Sequence, residues 1–244
     1  MCYHVSTPSK LELEKQLPEY TVQGEVEPYY HVSGFERPLL YVTTNDTPNV
    51  IKPAKWKLIP HWVKTDAEAK KYANTLNADS DKIFSSSSYR QYIEKYKGLL
   101  WVDGVYEPHT EEGEAETQNY YIYKPEKKIF SLGIVYSPWL NPDTGEIINT
   151  FSVLTTPANE RFAWIHNEKE RMPLIISNKT DRLRWLHANT KEAIKDFFRP
   201  SEDNTFMDHR VGRVTAARGK KTNIPETQLP FSSEPPQPTQ TSLF

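Results

Sequence analysis

Hydrophobic and polar positions along the chain fall into short apolar runs rather than long helical stripes. RPLLYVTT (37–44), NVIKPAKWKLIP (49–60), GLLWVDGVYE (98–107) and NYYIYK (119–124) concentrate β-branched and aromatic residues. KIFSLGIVYSPWL (128–140), INTFSVLTT (148–156) and RMPLIIS (171–177) do the same, and all seven predict strands bounded by Gly, Pro, Asn or Asp. YYIYKPEKKIFSLGIVY (120–136) predicts a hairpin turning at Lys124–Lys128, and NPDTGE (141–146) predicts a second turn, with Pro142 and Gly145 at turn positions.

Helical periodicity is scarcer. Thr65 and Glu68 form a T-x-x-E capping box opening DAEAKKYANTL. Tyr89, Ile93 and Tyr96 share one helical face in SSYRQYIEKYK. TDRLRWLH and TKEAIKDFFRP predict two consecutive short helices, the second ended by Pro200. Strands and helices do not alternate regularly, which argues against a doubly wound parallel sheet. The pattern predicts an α+β fold: a single domain with a curved, mostly antiparallel, barrel-like sheet and a few short peripheral helices. That domain is expected over residues 2–231. The Pro/Ser/Thr/Gln-rich stretch 232–244 is expected to be a disordered tail.

Composition narrows the class. The 244 residues include 12% aromatics and 37% hydrophobic residues at a mean hydropathy of -0.71, enough for a core but offering no apolar run near the roughly 20 residues of a membrane helix. No charged segment followed by an apolar one opens the chain, so no signal peptide is expected. With one cysteine, an internal disulfide and a cysteine-rich metal site are excluded. The expectation is a soluble, cytoplasmic monomer. Net charge is -2, so any affinity for phosphate must be local. The best basic stretch, Arg210, Arg213, Arg218, Lys220 and Lys221, reads equally well as a solvated edge.

The single cysteine is residue 2. Aminopeptidases remove Met1 when the next side chain is small, and that leaves an α-amine and a thiol on adjacent carbons. Their ordinary pKa values, about 7.7–8.0 and about 8.5, leave both partly nucleophilic near neutrality. A 1,2-aminothiol condenses with an aldehyde to a Schiff base, which the thiol then closes into a thiazolidine. The same group could instead serve as an N-terminal thiol nucleophile with its own amine as base.

In order along the chain stand MC, KWKLIPHW (55–62), LNADSDKIF (76–84), LLWVDGVYEPH (99–109), LTTPAN (154–159) and IHNEKERMPLII (165–176). This series resembles the SOS response-associated peptidase (SRAP) family, from Cys2 to about residue 217. The resemblance implies a protein that binds single-stranded DNA carrying an abasic site and captures the exposed aldehyde as a covalent thiazolidine crosslink, shielding the lesion. It implies Cys2 as nucleophile, Asn77 as the residue holding the terminus and sugar, Glu107 as the proton-shuttling carboxylate and His166 as the base assisting ring opening. DNA contacts would come from Trp56 and Trp62 as faces for unpaired bases, from the hydroxyls of Thr155 and Thr156, and from Arg171. For Trp56, packing in a core strand has the stronger claim. No metal and no cofactor are implied, and a nucleoid association on DNA is.

The chain departs from the family pattern at several positions. Asp79 stands where an arginine is usual, with Asp81 and Lys82 following it. Lys57 replaces the glycine after Trp56, His109 ends YEPH where tryptophan is usual, Tyr3 replaces a glycine, and Asn167–Glu170 lengthens the loop before Arg171. Two other readings stay open: a Cys2-dependent thiol peptidase, limited in the extreme to removing its own Met1, and a non-catalytic single-strand binding module.

Overall fold

The computed structural model describes residues 2–72, 74–111, 113, 117–202, 204–214 and 221–232. The strands are β1 (His4–Thr7), β2 (Thr21–Val22), β3 (Tyr29–Ser33), β4 (Leu39–Thr44), β5 (Thr47–Trp56), β6 (Asn77–Asp79) and β7 (Lys97–Val102). They continue as β8 (Gly104–His109), β9 (Gln118–Tyr123), β10 (Phe130–Leu140), β11 (Ile147–Pro157), β12 (Arg171–Pro173), β13 (Ile175–Ile176) and β14 (Met207–Val211). The helices are α1 (Lys10–Gln16), α2 (Asp66–Lys70), α3 (Glu160–Ile165), α4 (Lys179–His187) and α5 (Lys191–Lys195).

The chain is α+β as its pattern predicts, and mostly β. Strands β4, β5, β11, β10 and β7 close into a five-stranded barrel: β10 pairs antiparallel with β7 and β11, β4 with β5 and β7, and a parallel pairing of Thr150 with Lys55 and Phe151 with Trp56 shuts the ring. Closure removes the unpaired strand edges that an open sheet leaves exposed. A second sheet, in the order β14-β9-β8-β1-β3, packs beside it.

The two sheets are joined by bent strands, and here the expected hairpin is corrected. β9 and β10 are not paired with each other across Lys124–Lys128. Instead β8 pairs with β9 from Gly104–Tyr123 to His109–Gln118, while β7 pairs with β10 from Val102–Phe130 to Lys97–Val135. One long antiparallel pair thus passes a corner, with Asp103 on one side and residues 124–129 on the other. Gly104 is required at that corner because a Cβ would lie 2.3 Å from the Tyr121 ring. The NPDTGE turn does close a hairpin, joining β10 to β11 with Leu140 opposite Ile147 and Gly145 at φ 72°.

Alternation along the strands divides the apolar residues between two cores. Tyr41, Leu99, Trp101, Val135 and Leu154 face one side, covered by Leu13 of α1, Trp185 and Leu186 of α4 and Ile194 of α5. Leu40, Val42, Leu100, Ile134, Phe151 and Val153 face the other, together with Val5, Val32, Val105 and Ile122 of the second sheet. The buried indoles keep partners: Trp185 donates to the Gly98 carbonyl at 2.8 Å and Trp101 to the Thr43 hydroxyl at 3.0 Å. Thr65 caps α2 by accepting from the Glu68 amide at 3.1 Å, but Glu68 reaches the Lys64 amide instead of closing the box. Residues 86–96 form successive turns, Ile93 N–H donating to Tyr89 O at 3.1 Å, without a regular α-helix. The expected tail beyond Ser232 lies outside the described residues, as do Arg218 and Lys220. No helix among the described residues is long and apolar enough to cross a membrane.

Candidate functional site

Cys2 is fully buried, in the core between barrel and second sheet, ahead of β1. Register explains what surrounds it. Val5, Val105 and Ile122 lie side by side on β1, β8 and β9, all facing that core. Two residues further on the same face, β8 presents Glu107, opposite Tyr120, and the β1 register sets Tyr3 beside it. Glu107 is therefore carried inward by the same alternation that buries Val105, and its side chain is inaccessible. Asn77 comes from the barrel: β6 lies parallel to β11 with Asn77 beside Val153, a member of the same core. The Tyr3 phenol lies against the Asn77 carboxamide.

His166 arrives from a third element. Asn159 caps α3 by accepting from the Phe162 amide at 2.9 Å, and His166 ends the helix, its N–H donating to Phe162 O at 2.7 Å. Phe162 and Ile165 anchor the helix in the Cys2 core. The end of α3 is clamped to β8 by His109: its Nδ1 bonds the carbonyls of Trp164 and Ile165 at 2.9 and 3.1 Å, and its ring stacks on Trp164 at 4.6 Å. The longer loop is held to the same strand end, since Asn167 Nδ2 donates to Thr110 O at 2.8 Å and Asn167 Oδ1 accepts from Thr110 N–H at 3.2 Å. Two departures from the family pattern, His109 and the loop, thus work together to fix His166. Residue type alone gave no signal of this, because the partners are more than fifty positions apart.

Burial and one positive charge set the ionisation. Burial raises the Glu107 carboxyl to about 7, against the pull of the chain's α-amino charge and a hydrogen bond to that amine. Burial and the Glu107 charge raise the Cys2 thiol well above its ordinary value, while the α-amine and the His4 backbone N–H oppose them. Burial, then the same α-amine and Lys169, lower His166 to about 4. Near neutrality the pocket therefore holds a thiol, a carboxyl close to half-protonated and a neutral imidazole. Such a set can take a proton from a weak nucleophile and deliver one to a leaving oxygen.

The residues expected to meet DNA separate sharply. Trp56 is fully buried, donates to the Leu76 carbonyl at 2.9 Å and stacks on Phe151 at 6.2 Å, so its indole packs the core and presents no face to a base. Trp62 is 41% exposed, braced by Tyr92 at 6.0 Å and His61 at 5.1 Å. Thr155 and Thr156 are buried, the Thr155 hydroxyl with no hydrogen-bond partner and the Thr156 hydroxyl donating to Pro157 O at 3.3 Å. Arg171 is committed within the protein. Its guanidinium donates to Asp79 at 2.7 Å, Asp81 at 2.8 Å, Ser80 Oγ at 3.1 Å and Thr155 O at 2.7 Å. Asp79, the residue standing in for an arginine, is thus the partner of Arg171. Lys57, where a glycine is usual, is buried at φ 155°, a backbone conformation that glycine reaches most easily. A cavity of about 600 Å³ opens beside Asn77, lined by Lys71, Lys82, Ser86 and Tyr89 among others.

The site is thus a buried thiol at residue 2, beside a raised carboxyl and a buried histidine, at the edge of a small closed barrel. The chain belongs to the SOS response associated peptidase (SRAP) family, whose model matches residues 1–216. It is 28% identical over 246 residues to the abasic site processing protein HMCES of Gallus gallus, covering 89% of this chain and 70% of that one. It is 22% identical over 212 residues to the abasic site processing protein YoqW of Bacillus subtilis, covering 86% of this chain and 89% of that one. A crystal structure of a protein from Bacteroides thetaiotaomicron, 28% identical, superposes with a TM-score of 0.82 over 95% of this chain and all of that one.

Proposed function

We propose that this protein processes abasic sites in single-stranded DNA by forming a covalent thiazolidine crosslink through Cys2 after loss of Met1. The observation that carries the reading is the burial of Cys2 beside Glu107 in one core, with Asn77 reached through Tyr3 and His166 held at the end of α3, whose Phe162 and Ile165 pack into that core. The names of the relatives supply the substrate class.

The chemistry balances without a cofactor. The Cys2 amine adds to the C1′ aldehyde of the ring-opened sugar, giving a carbinolamine. Glu107 in its acid form donates a proton to the departing hydroxyl, water leaves and an iminium ion forms. The thiol then adds to the iminium carbon as its proton passes to the Glu107 carboxylate, which closes the ring with a neutral nitrogen and restores the acid form of Glu107. The net change is aldehyde plus aminothiol giving thiazolidine plus water. A buried thiol with a raised pKa is a poor free thiolate, so the carboxylate must take its proton as the C–S bond forms. His166, neutral above about pH 4, accepts the sugar hydroxyl proton during ring opening. Asn77 and Tyr3 bound the space where the sugar would sit. On this reading the net reaction is a condensation that caps the lesion, and peptidase activity is limited to removal of Met1.

The test is direct. Mature protein, its Met1 loss established by intact mass, is incubated with a single-stranded oligonucleotide carrying one abasic site and run on a denaturing gel. A covalent band that Cys2→Ala abolishes is expected. Absence of the band, or an equal band from Cys2→Ala, overturns the proposal. Cys2-dependent turnover of added peptides would establish the thiol peptidase in its place.

A further inference from the structure

We propose a second, lesion-independent phosphate-binding subsite on α5, formed by Lys191 and Lys195 over Phe84 and Phe198, along which single-stranded DNA runs after passing Asn77. This deepens the reading above and rests on single-stranded DNA being the partner.

The wall beside Asn77 needs positive charge from somewhere, and Arg171 does not supply it. Its guanidinium is shared between Asp79 and Asp81, and Asp79, Asp81 and Arg171 together sum to one negative charge. The cavity beside Asn77 is flanked by Lys71 and Lys82 and by the hydroxyls of Ser85–Ser88. At Ser85 it meets a second cavity of about 570 Å³, which Ser85 also lines, together with Phe84, Phe198, Lys191 and Lys195. Through Ser85 the two cavities adjoin, one reaching Asn77 and the other α5.

The second cavity has the composition a single strand calls for. Lys191 and Lys195 lie about one turn apart on α5, about 6 Å along its axis, and are exposed on one face. Phe84 and Phe198 pack against each other at 6.2 Å as its half-buried floor, with the Lys191 ammonium 5.2 Å from the Phe84 ring. Aromatic faces and lysines together bind strands without regard to sequence. Asp81 lines this cavity but is paired with Arg171, and Asp196 of the same region lines a separate cleft. The four lysines of the two cavities therefore outweigh their acids.

The experiment follows the affinity of fluorescein-labelled 20-nucleotide oligothymidine, without a lesion, by anisotropy between 50 and 200 mM NaCl. Wild type is compared with Lys191→Gln/Lys195→Gln and with the charge reversal Lys191→Glu/Lys195→Glu. Loss of two phosphate contacts flattens the log–log salt slope by about 1.4, so wild type should lose about sevenfold more affinity across this range than the Gln pair. The Glu pair should bind the 20-mer more weakly still. An unchanged slope in the Gln pair overturns the subsite. Abasic crosslinking at saturating DNA is read in parallel. A flattened slope with no crosslink in any protein upholds the subsite and removes the Cys2 chemistry. A normal crosslink with an unchanged slope does the reverse.

Discussion

Replacing Glu107 by Gln keeps the shape of the side chain and removes its proton, so it isolates what burial does to that carboxyl. Glu107 is inaccessible and titrates near 7 in the folded chain, against about 4.5 when unfolded. The folded state therefore binds more protons than the unfolded state between these values. By linkage this contribution is full below about pH 4.5 and is lost as pH rises through 7. A shift of this size is worth about 2.5 kcal/mol between pH 5 and pH 8, at 1.36 kcal/mol per pKa unit and allowing for partial titration at each end. His4, His31 and His166 act in the opposite sense. Burial lowers them to about 4, about 3 and about 4, so each costs stability as pH falls below about 6.5. The net pH profile of the wild type is thus a composite, and only the difference from the variant reports on Glu107. Urea unfolding of both proteins at pH 5, 6, 7 and 8 supplies it. Relative to wild type, Glu107→Gln should gain about 2.5 kcal/mol on going from pH 5 to pH 8. In the crosslinking assay the same variant should be slow at every pH while binding undamaged DNA normally. A stability difference flat to within about 0.5 kcal/mol would mean the carboxyl is already ionised and stabilised where it sits. The half-protonated shuttle would then be wrong.

Other substitutions separate packing from recognition. Trp56→Ala should cost about 3–5 kcal/mol of stability in urea, because it empties a fully buried site and removes one of the donors to the Leu76 carbonyl, which keeps the Val153 amide. Trp62→Ala should leave the urea midpoint nearly unchanged and weaken binding of undamaged single strands by about 1–3 kcal/mol, read by anisotropy. Arg171→Gln should destabilise by about 1–3 kcal/mol, since two carboxylates lose their ion pair and the Thr155 carbonyl loses one of its two donors. Adding Asp79→Asn should recover part of that loss, a coupling readable in a double-mutant cycle. If Arg171→Gln instead spares stability and abolishes DNA binding, Arg171 is a phosphate contact after all.

What the sequence discloses and what it withholds follow from how far apart the partners are. Strand segments such as KIFSLGIVYSPWL and the Asn–Gly turn region before Ile147 are decided by neighbours in the chain, and they fold as their pattern predicts. The Lys124–Lys128 stretch is decided elsewhere: its Pro and charged residues suit a hairpin turn and a sheet corner equally, and only the pairing of β7 with β10 selects the corner. The two tryptophans of KWKLIPHW have the same local signature, yet Trp56 falls against Phe151 across the barrel closure and Trp62 falls beyond it. Short motifs in fixed order pointed to Cys2, Asn77, Glu107 and His166, but not to Tyr3 or His109, which entered only as departures. Asp79 is the sharpest case. By itself it argues against a nucleic-acid partner, because a carboxylate repels phosphate. Paired with Arg171, 92 positions away, it becomes half of an ion pair that joins β6 to β12. With Asp81 on the same guanidinium, the cluster leaves no cation to spare for phosphate. On the reading proposed above, positive potential for a bound strand would then lie on Lys71, Lys82, Lys191 and Lys195, and the departures would move the grip on DNA without touching Cys2.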